Sequence, residues 1–124
     1  MADIRHCLCI LFISCIGYAY GQKPSPIKRA QTAYIEAGKA LRLNQLDQAR
    51  QQLLLAISYD ANFATAYQQL GDILRRQERF IEASTQYTKV LQLDPGLTPL
   101  TYFALGESLL FSGKYQEAEH ALQA

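Results

Sequence analysis

Tyr67-Gln68-Gln69-Leu70-Gly71-Asp72-Ile73-Leu74 is the stretch that decides the reading of this chain. Its Tyr67, Leu70, Gly71 and Leu74 fall at i, i+3, i+4 and i+7, which is one stripe of a helix. The series continues through Phe80, Ala83 and Tyr87 to Asp94-Pro95. Its opening then recurs as Tyr102-Phe103-Ala104-Leu105-Gly106-Glu107-Ser108-Leu109, followed by Tyr115 and Ala118. Gly71 to Ala83 and Gly106 to Ala118 are both twelve residues. Self-similarity at a period in the thirties predicts stacked helical pairs rather than a closed globule. The predicted fold class is therefore all-α, a solenoid of antiparallel helix pairs.

A glycine inside a helix costs about 0.5–1 kcal/mol relative to alanine, so it asks for a reason. The reason expected is close approach of the partner helix. Gly71 and Ala83 are expected to meet where the two helices cross, with Tyr67 and Tyr87 filling the wider space at the ends. These residues read as core and not as a functional site.

The residues quoted resemble the tetratricopeptide repeat family, whose pattern runs from an aromatic through Leu-Gly to Ala, an aromatic and a closing Pro. Residues 64–97 match nearly position for position, and 99–124 match as far as the chain runs. An earlier unit at 30–63 is degenerate. It has Ala49, Leu53, Ala56 and Ile57 for its second helix, and Ala61 in place of the proline. Its Gly38 lies eleven residues before Ala49 instead of twelve, so either Ala37 fills the small-residue slot or the turn has lost a residue.

Six helices are expected, at about 26–43, 46–59, 63–77, 80–93, 99–112 and 115–124. Asn62 is placed to cap the third, and Arg75 and Arg76 lie in its last turn, where positive charge suits the helix dipole. Asp94-Pro95 ends the fourth, because proline cannot continue a helix. No segment alternates apolar and polar residues for long, so no sheet is expected.

The first residues read differently. Cys7 to Tyr20 carries no charge and is too short to span a bilayer as a helix. It suits the apolar region of a secretory leader, with Ala19-Tyr20-Gly21 as the processing site. The expected divisions are a signal peptide at 1–21, a linker at 22–29 and the repeat domain at 30–124. Cleavage is expected after Gly21, with Ala19 as second choice and an uncleaved anchor as the alternative. Cys7, Cys9 and Cys15 all lie in this segment, so removing it leaves no thiol for a disulfide. Phe12-Ile13-Ser14-Cys15 loosely resembles a bacterial lipoprotein box, which makes lipidation at Cys15 a further possibility.

Net charge is +1 with signs interspersed, and no basic stripe suited to nucleic acid is present. Arg75, Arg76 and Arg79 form the densest basic cluster. With Asp72, Glu78 and Glu82 around them, they read as a salt-bridged helix end. Beyond the leader the only histidine is His120, flanked by Glu117 and Glu119 on different helix faces. Ser84, Ser108 and Ser112 have no base at a useful spacing. No general acid/base or nucleophilic constellation emerges, so no enzyme, no metal and no cofactor are expected.

The resemblance implies a binding module whose first helices line a concave groove. Carried over by position, the groove would present Thr65, Gln68, Asp72, Arg75 and Arg76, then Leu100, Phe103, Glu107, Leu110 and Phe111. In the first unit Tyr34 or Ile35, and Arg42, would contribute. A face running from charged to apolar suits an extended peptide or a partner helix. Asp72 stands where the carboxylate clamp of some relatives has Asn, which argues against that ligand class. Phe103, Leu110 and Phe111 have a plainer explanation as surface covered by a further helix, and the chain is expected to be the N-terminal part of a longer one. The resemblance extends to exported arrays of Gram-negative envelopes, implying a periplasmic or outer-membrane-associated scaffold. The alternative is a structural spacer that self-associates.

Overall fold

The computed structural model describes residues 25–124. These form six helices and, among the described residues, no strand. They are α1 (Pro26–Arg42), α2 (Leu46–Tyr59), α3 (Ala64–Arg76), α4 (Phe80–Leu93), α5 (Leu100–Phe111) and α6 (Tyr115–Gln123). Every boundary lies within one residue of its expected position. The expected leader, its cleavage site and Cys15 lie outside the described residues.

Consecutive helices pack as hairpins, α1 on α2, α3 on α4 and α5 on α6, and α3 also touches α5. The helices thus form a row, with α1, α3 and α5 on one face. Ser25 starts the row: its Oγ accepts from the Lys28 amide at 3.3 Å, and Pro26 takes the first turn, where a missing N–H costs nothing. The first hairpin closes on alanines. Ala33, Ala37 and Ala40 of α1 join Ala49, Leu53 and Ala56 of α2 in the core, all buried.

The ambiguity between Ala37 and Gly38 resolves in favour of Ala37. It is 0% exposed, whereas a Cβ added at Gly38 would meet nothing within 4 Å. Ala37, Gly71 and Gly106 are therefore equivalent, each twelve residues before its alanine partner in sequence.

What the glycines face differs from expectation. The atoms nearest a Cβ built on Gly71 belong to the Tyr87 ring, at 2.7 Å, not to Ala83. At Gly106 the nearest atoms belong to Leu122, at 2.5 Å, not to Ala118. Each glycine makes room for the large side chain one helical turn beyond the alanine. Tyr87 accordingly is 0% exposed, beside the crossing rather than at the end of the pair. Only Tyr67 keeps an end position, where its hydroxyl donates to the Ala61 carbonyl at 3.0 Å.

Asn62 does not cap α3. Phe63 holds the cap position without a side-chain bond, and the Asn62 amide instead donates to Asp60 Oδ1 at 3.0 Å. Asp94 does the same for the Gly96 amide at 3.2 Å. These Asx turns recur one repeat apart and reverse the chain between hairpins. Within each hairpin the reversal uses the left-handed region, at Asn44 (φ 55°), Glu78 (φ 58°) and Gly113 (φ 80°). The three lie 34 and 35 residues apart, just past a helix C-terminus, where one left-handed residue ends the helix.

Candidate functional site

The face formed by α1, α3 and α5 carries the residues expected to bind. The structure divides them into three groups according to what they touch.

The first group fastens one repeat to the next, except Asp72, which ties the two helices of its own repeat. Gln69 Nε2 donates to the Tyr34 hydroxyl at 2.7 Å, and the Tyr34 ring packs on Phe63 with centroids 5.0 Å apart. Thr101, fully buried, donates to Gln68 Oε1 at 2.7 Å. The Gln68 amide leans on Asp72 at 3.5 Å, and Asp72 accepts from the Tyr87 hydroxyl at 2.6 Å. Arg75 pairs with Glu107 across the α3–α5 contact. Tyr34, Gln68, Asp72, Arg75 and Glu107 are therefore joined within the fold. Burial, then the Asp72 hydrogen bond and charge, hold the Tyr87 phenol above its usual value. Sequence spacing could place these side chains on one face. It could not show that Tyr34, Gln68 and Arg75 reach the next repeat, because that depends on how hairpins stack.

The second group is open. Arg42 and Arg76 end α1 and α3 and are exposed. Among the described residues neither has a carboxylate within ion-pair distance. Arg76 donates only to the side chain of Asn44, at 3.1 Å. Phe111 is the equivalent residue of α5 and is 65% exposed, with one ring face stacked on Phe80 at 4.8 Å. Leu100 at the start of α5 is 70% exposed, and Thr65 is half-buried. Ile35, the alternative to Tyr34, is exposed.

The third group is Phe103 and Leu110, which are 59% and 43% exposed. They are the equivalents of Gln68 and Arg75, one repeat on, and among the described residues no helix lies against them.

Of the basic cluster, Arg79 forms the expected local pair, a two-pronged contact with Glu82 at 2.6 and 2.8 Å. Glu78 is occupied by the turn and pairs with neither Arg75 nor Arg76. Ser84, Ser108 and Ser112 return their hydroxyls to backbone carbonyls of their own helices. His120 is exposed on the opposite face, beside a cleft of about 960 Å³ between α4 and α6 floored by Leu105 and Leu109. Among the described residues no group of three or more His, Cys, Asp or Glu is placed to hold a metal, and no helix is long and apolar enough to cross a membrane.

A row of stacked helix hairpins with one extended face is the architecture of helical repeat proteins. The tetratricopeptide repeat family model matches residues 64–97. The described chain shares the fold of solved tetratricopeptide-repeat structures. Similar solved structures include the MamA protein, at a TM-score of 0.71 and 23% identity over 76% of this chain. The OM64 TPR domain of Arabidopsis aligns at a TM-score of 0.70 and 21% identity over 78% of this chain and 83% of its own. The chain spans about half the length of that MamA structure, 51%. No curated protein matches it in sequence.

Proposed function

We propose that the α1–α3–α5 face captures a protein segment in extended or helical form, with an acidic residue followed by an apolar anchor. The observation that carries this is the line Arg42, Arg76, Phe111. These equivalent residues of three successive repeats are exposed, and the two cations have no carboxylate partner among the described residues. The line presents a positive, a positive and an aromatic site, one from each repeat. Leu100 widens the apolar end, and Thr65 adds a polar contact between. Charge complementarity would then set register and the ring would supply affinity. Catalysis is left to other proteins in this reading, and no nucleic acid or cofactor enters it.

Display of random peptides against the purified chain tests the proposal. Enriched sequences should pair Asp or Glu with a downstream aromatic or large aliphatic residue. Arg76→Glu should weaken them roughly tenfold, and a Lys in place of the peptide carboxylate should restore binding to that variant. No enrichment, or binding indifferent to Arg76→Glu, would instead favour a spacer that positions other domains.

Residues 1–21 serve, in the same proposal, as a leader that takes the chain into the cell envelope, to the periplasm or the outer membrane. The uncharged run from Cys7 to Tyr20 and the small residues Ala19 and Gly21 support this. An intact mass that begins at Gln22 supports processing, and one that begins at Met1 refutes it. A lipid-bearing Cys15 at the new terminus would mark the anchored form.

A further inference from the structure

We infer that the cleft between α4 and α6 binds a small amphiphilic carboxylate, an acyl chain whose carboxyl group sits at the Lys89 end. The cleft holds about 960 Å³, near the top of the range for small-molecule sites. It lies within the row, between two helices that both pack on α5, and on the face opposite the Arg42–Arg76–Phe111 line. Its width comes from small side chains. Ser84, Thr85 and Thr88 of α4 line it, where the equivalent places of α2 hold the larger Arg50, Gln51 and Leu54. The three hydroxyls are already bonded to carbonyls of α4. Ser84 and Thr85 donate to Ile81 at 2.7 and 3.1 Å, and Thr88 donates to Ser84 at 2.9 Å. This wall therefore offers methyl and methylene surface more than hydrogen bonds.

The chemistry changes along the cleft. Helices α4 and α6 run the same way and α5 runs against them, so residues late in α4 and early in α5 share one end. Lys89 and Tyr102 line that end. Lys89 is half-buried and, among the described residues, has no carboxylate within ion-pair distance. The hydroxyls of Tyr34, Tyr67 and Tyr87 are hydrogen-bonded within the fold, whereas that of Tyr102 has no partner among the described residues. An ammonium and a phenol hydroxyl together supply donors for one carboxylate. From Tyr102 the floor continues through Leu105 and Leu109, which are 8% and 6% exposed. Tyr102 and Leu109 are about 10 Å apart along the helix. The far end is closed by Lys114, whose ammonium already faces Glu117 at 3.7 Å.

This arrangement selects the occupant. One uncompensated lysine matches one negative charge. Among the described residues no arginine lines the cleft to fork onto a phosphate. The apolar floor that leads away from Lys89 matches a chain long enough to cover two leucines. A cationic amphiphile would oppose Lys89, and an uncharged one would leave its charge unanswered. None of these groups belongs to the Arg42–Arg76–Phe111 line, so this inference and the proposed function fail independently.

Titration calorimetry of the purified chain with decanoate should show saturable binding below the concentration at which decanoate self-associates. Amide chemical shifts should move at Lys89, Tyr102, Leu105 and Leu109. Decyltrimethylammonium should leave those shifts in place. Lys89→Gln should weaken decanoate binding about tenfold. Thr88→Leu, which puts the larger side chain of the first repeat on the wall, should weaken it as well. Both variants should keep their helical content by circular dichroism, and Arg76→Glu should bind decanoate as the parent does. The absence of saturable binding would overturn the inference, as would equal binding of decyltrimethylammonium, shifts confined to the α1–α3–α5 face, or an affinity indifferent to both cleft substitutions.

Discussion

The ring of Tyr87 occupies the space that a side chain at Gly71 would need, with Cε1 2.7 Å from the Cβ position. The ring cannot retreat. It is fully buried, and its hydroxyl is held by Asp72 at 2.6 Å. The other repeats use different pairs at the same places: Ala37 with Leu53, and Gly106 with Leu122. Small and large trade against one another to fill similar space between the two helices.

Gly71→Ala is therefore expected to destabilise the chain. Better helix propensity contributes about 0.5–1 kcal/mol, but overpacking a buried ring costs about 1–3 kcal/mol. The net loss should be about 1–2 kcal/mol by urea denaturation. In a Tyr87→Leu background, which reproduces the Ala37–Leu53 pair, the same substitution should become neutral or stabilising. Equal costs in both backgrounds would show that the ring is not the obstacle.

Glu78 sits at φ 58° where the next repeat has Gly113 at φ 80°. A left-handed residue other than glycine costs about 1 kcal/mol. Glu78→Gly should raise stability by about that amount, less the glycine's greater unfolded-state freedom, and Glu78→Asn should do so by a smaller margin. Gly113→Ala should lower it. A melting temperature that falls in Glu78→Gly would assign Glu78 a stabilising contact that outweighs its strain.

The Tyr87 phenol is raised above its usual value first by burial and then by Asp72. The unfolded chain loses this proton near pH 10, while the folded chain retains it. Stability from this group is thus complete below pH 10 and declines above it, by about 1.4 kcal/mol per pH unit until the folded phenol also ionises. Tyr87→Phe should be less stable at pH 7, by about 1 kcal/mol for the lost hydrogen bond, yet flatter between pH 10 and 11.5. If denaturant midpoints of the two proteins fall in parallel over that range, the alkaline loss originates elsewhere.

Much of this architecture was legible before any coordinates. Gly71 and Gly106, each with an alanine twelve residues later, mark the crossings. Asp94-Pro95 marks a helix end. The second depends on a local backbone rule that holds wherever the segment lies, while what each glycine faces was set by helix packing. The cap at Asn62 was misassigned because Asp60 competes for the same short turn, and a carboxylate two residues before an amide closes it readily. The exposed line of Arg42, Arg76 and Phe111 followed from periodicity and the family pattern. The distinction between open residues and fasteners did not.

Helical hairpins, their number, their boundaries and the face shared by α1, α3 and α5 were determined by the sequence alone, because helix periodicity and turn chemistry act within a few residues. The stacking of one hairpin on the next decided the rest. It turned Gln68, Arg75 and Glu107 into fasteners between repeats. Those outcomes depend on which surfaces meet across roughly 34 residues of chain, and packing in three dimensions sets that.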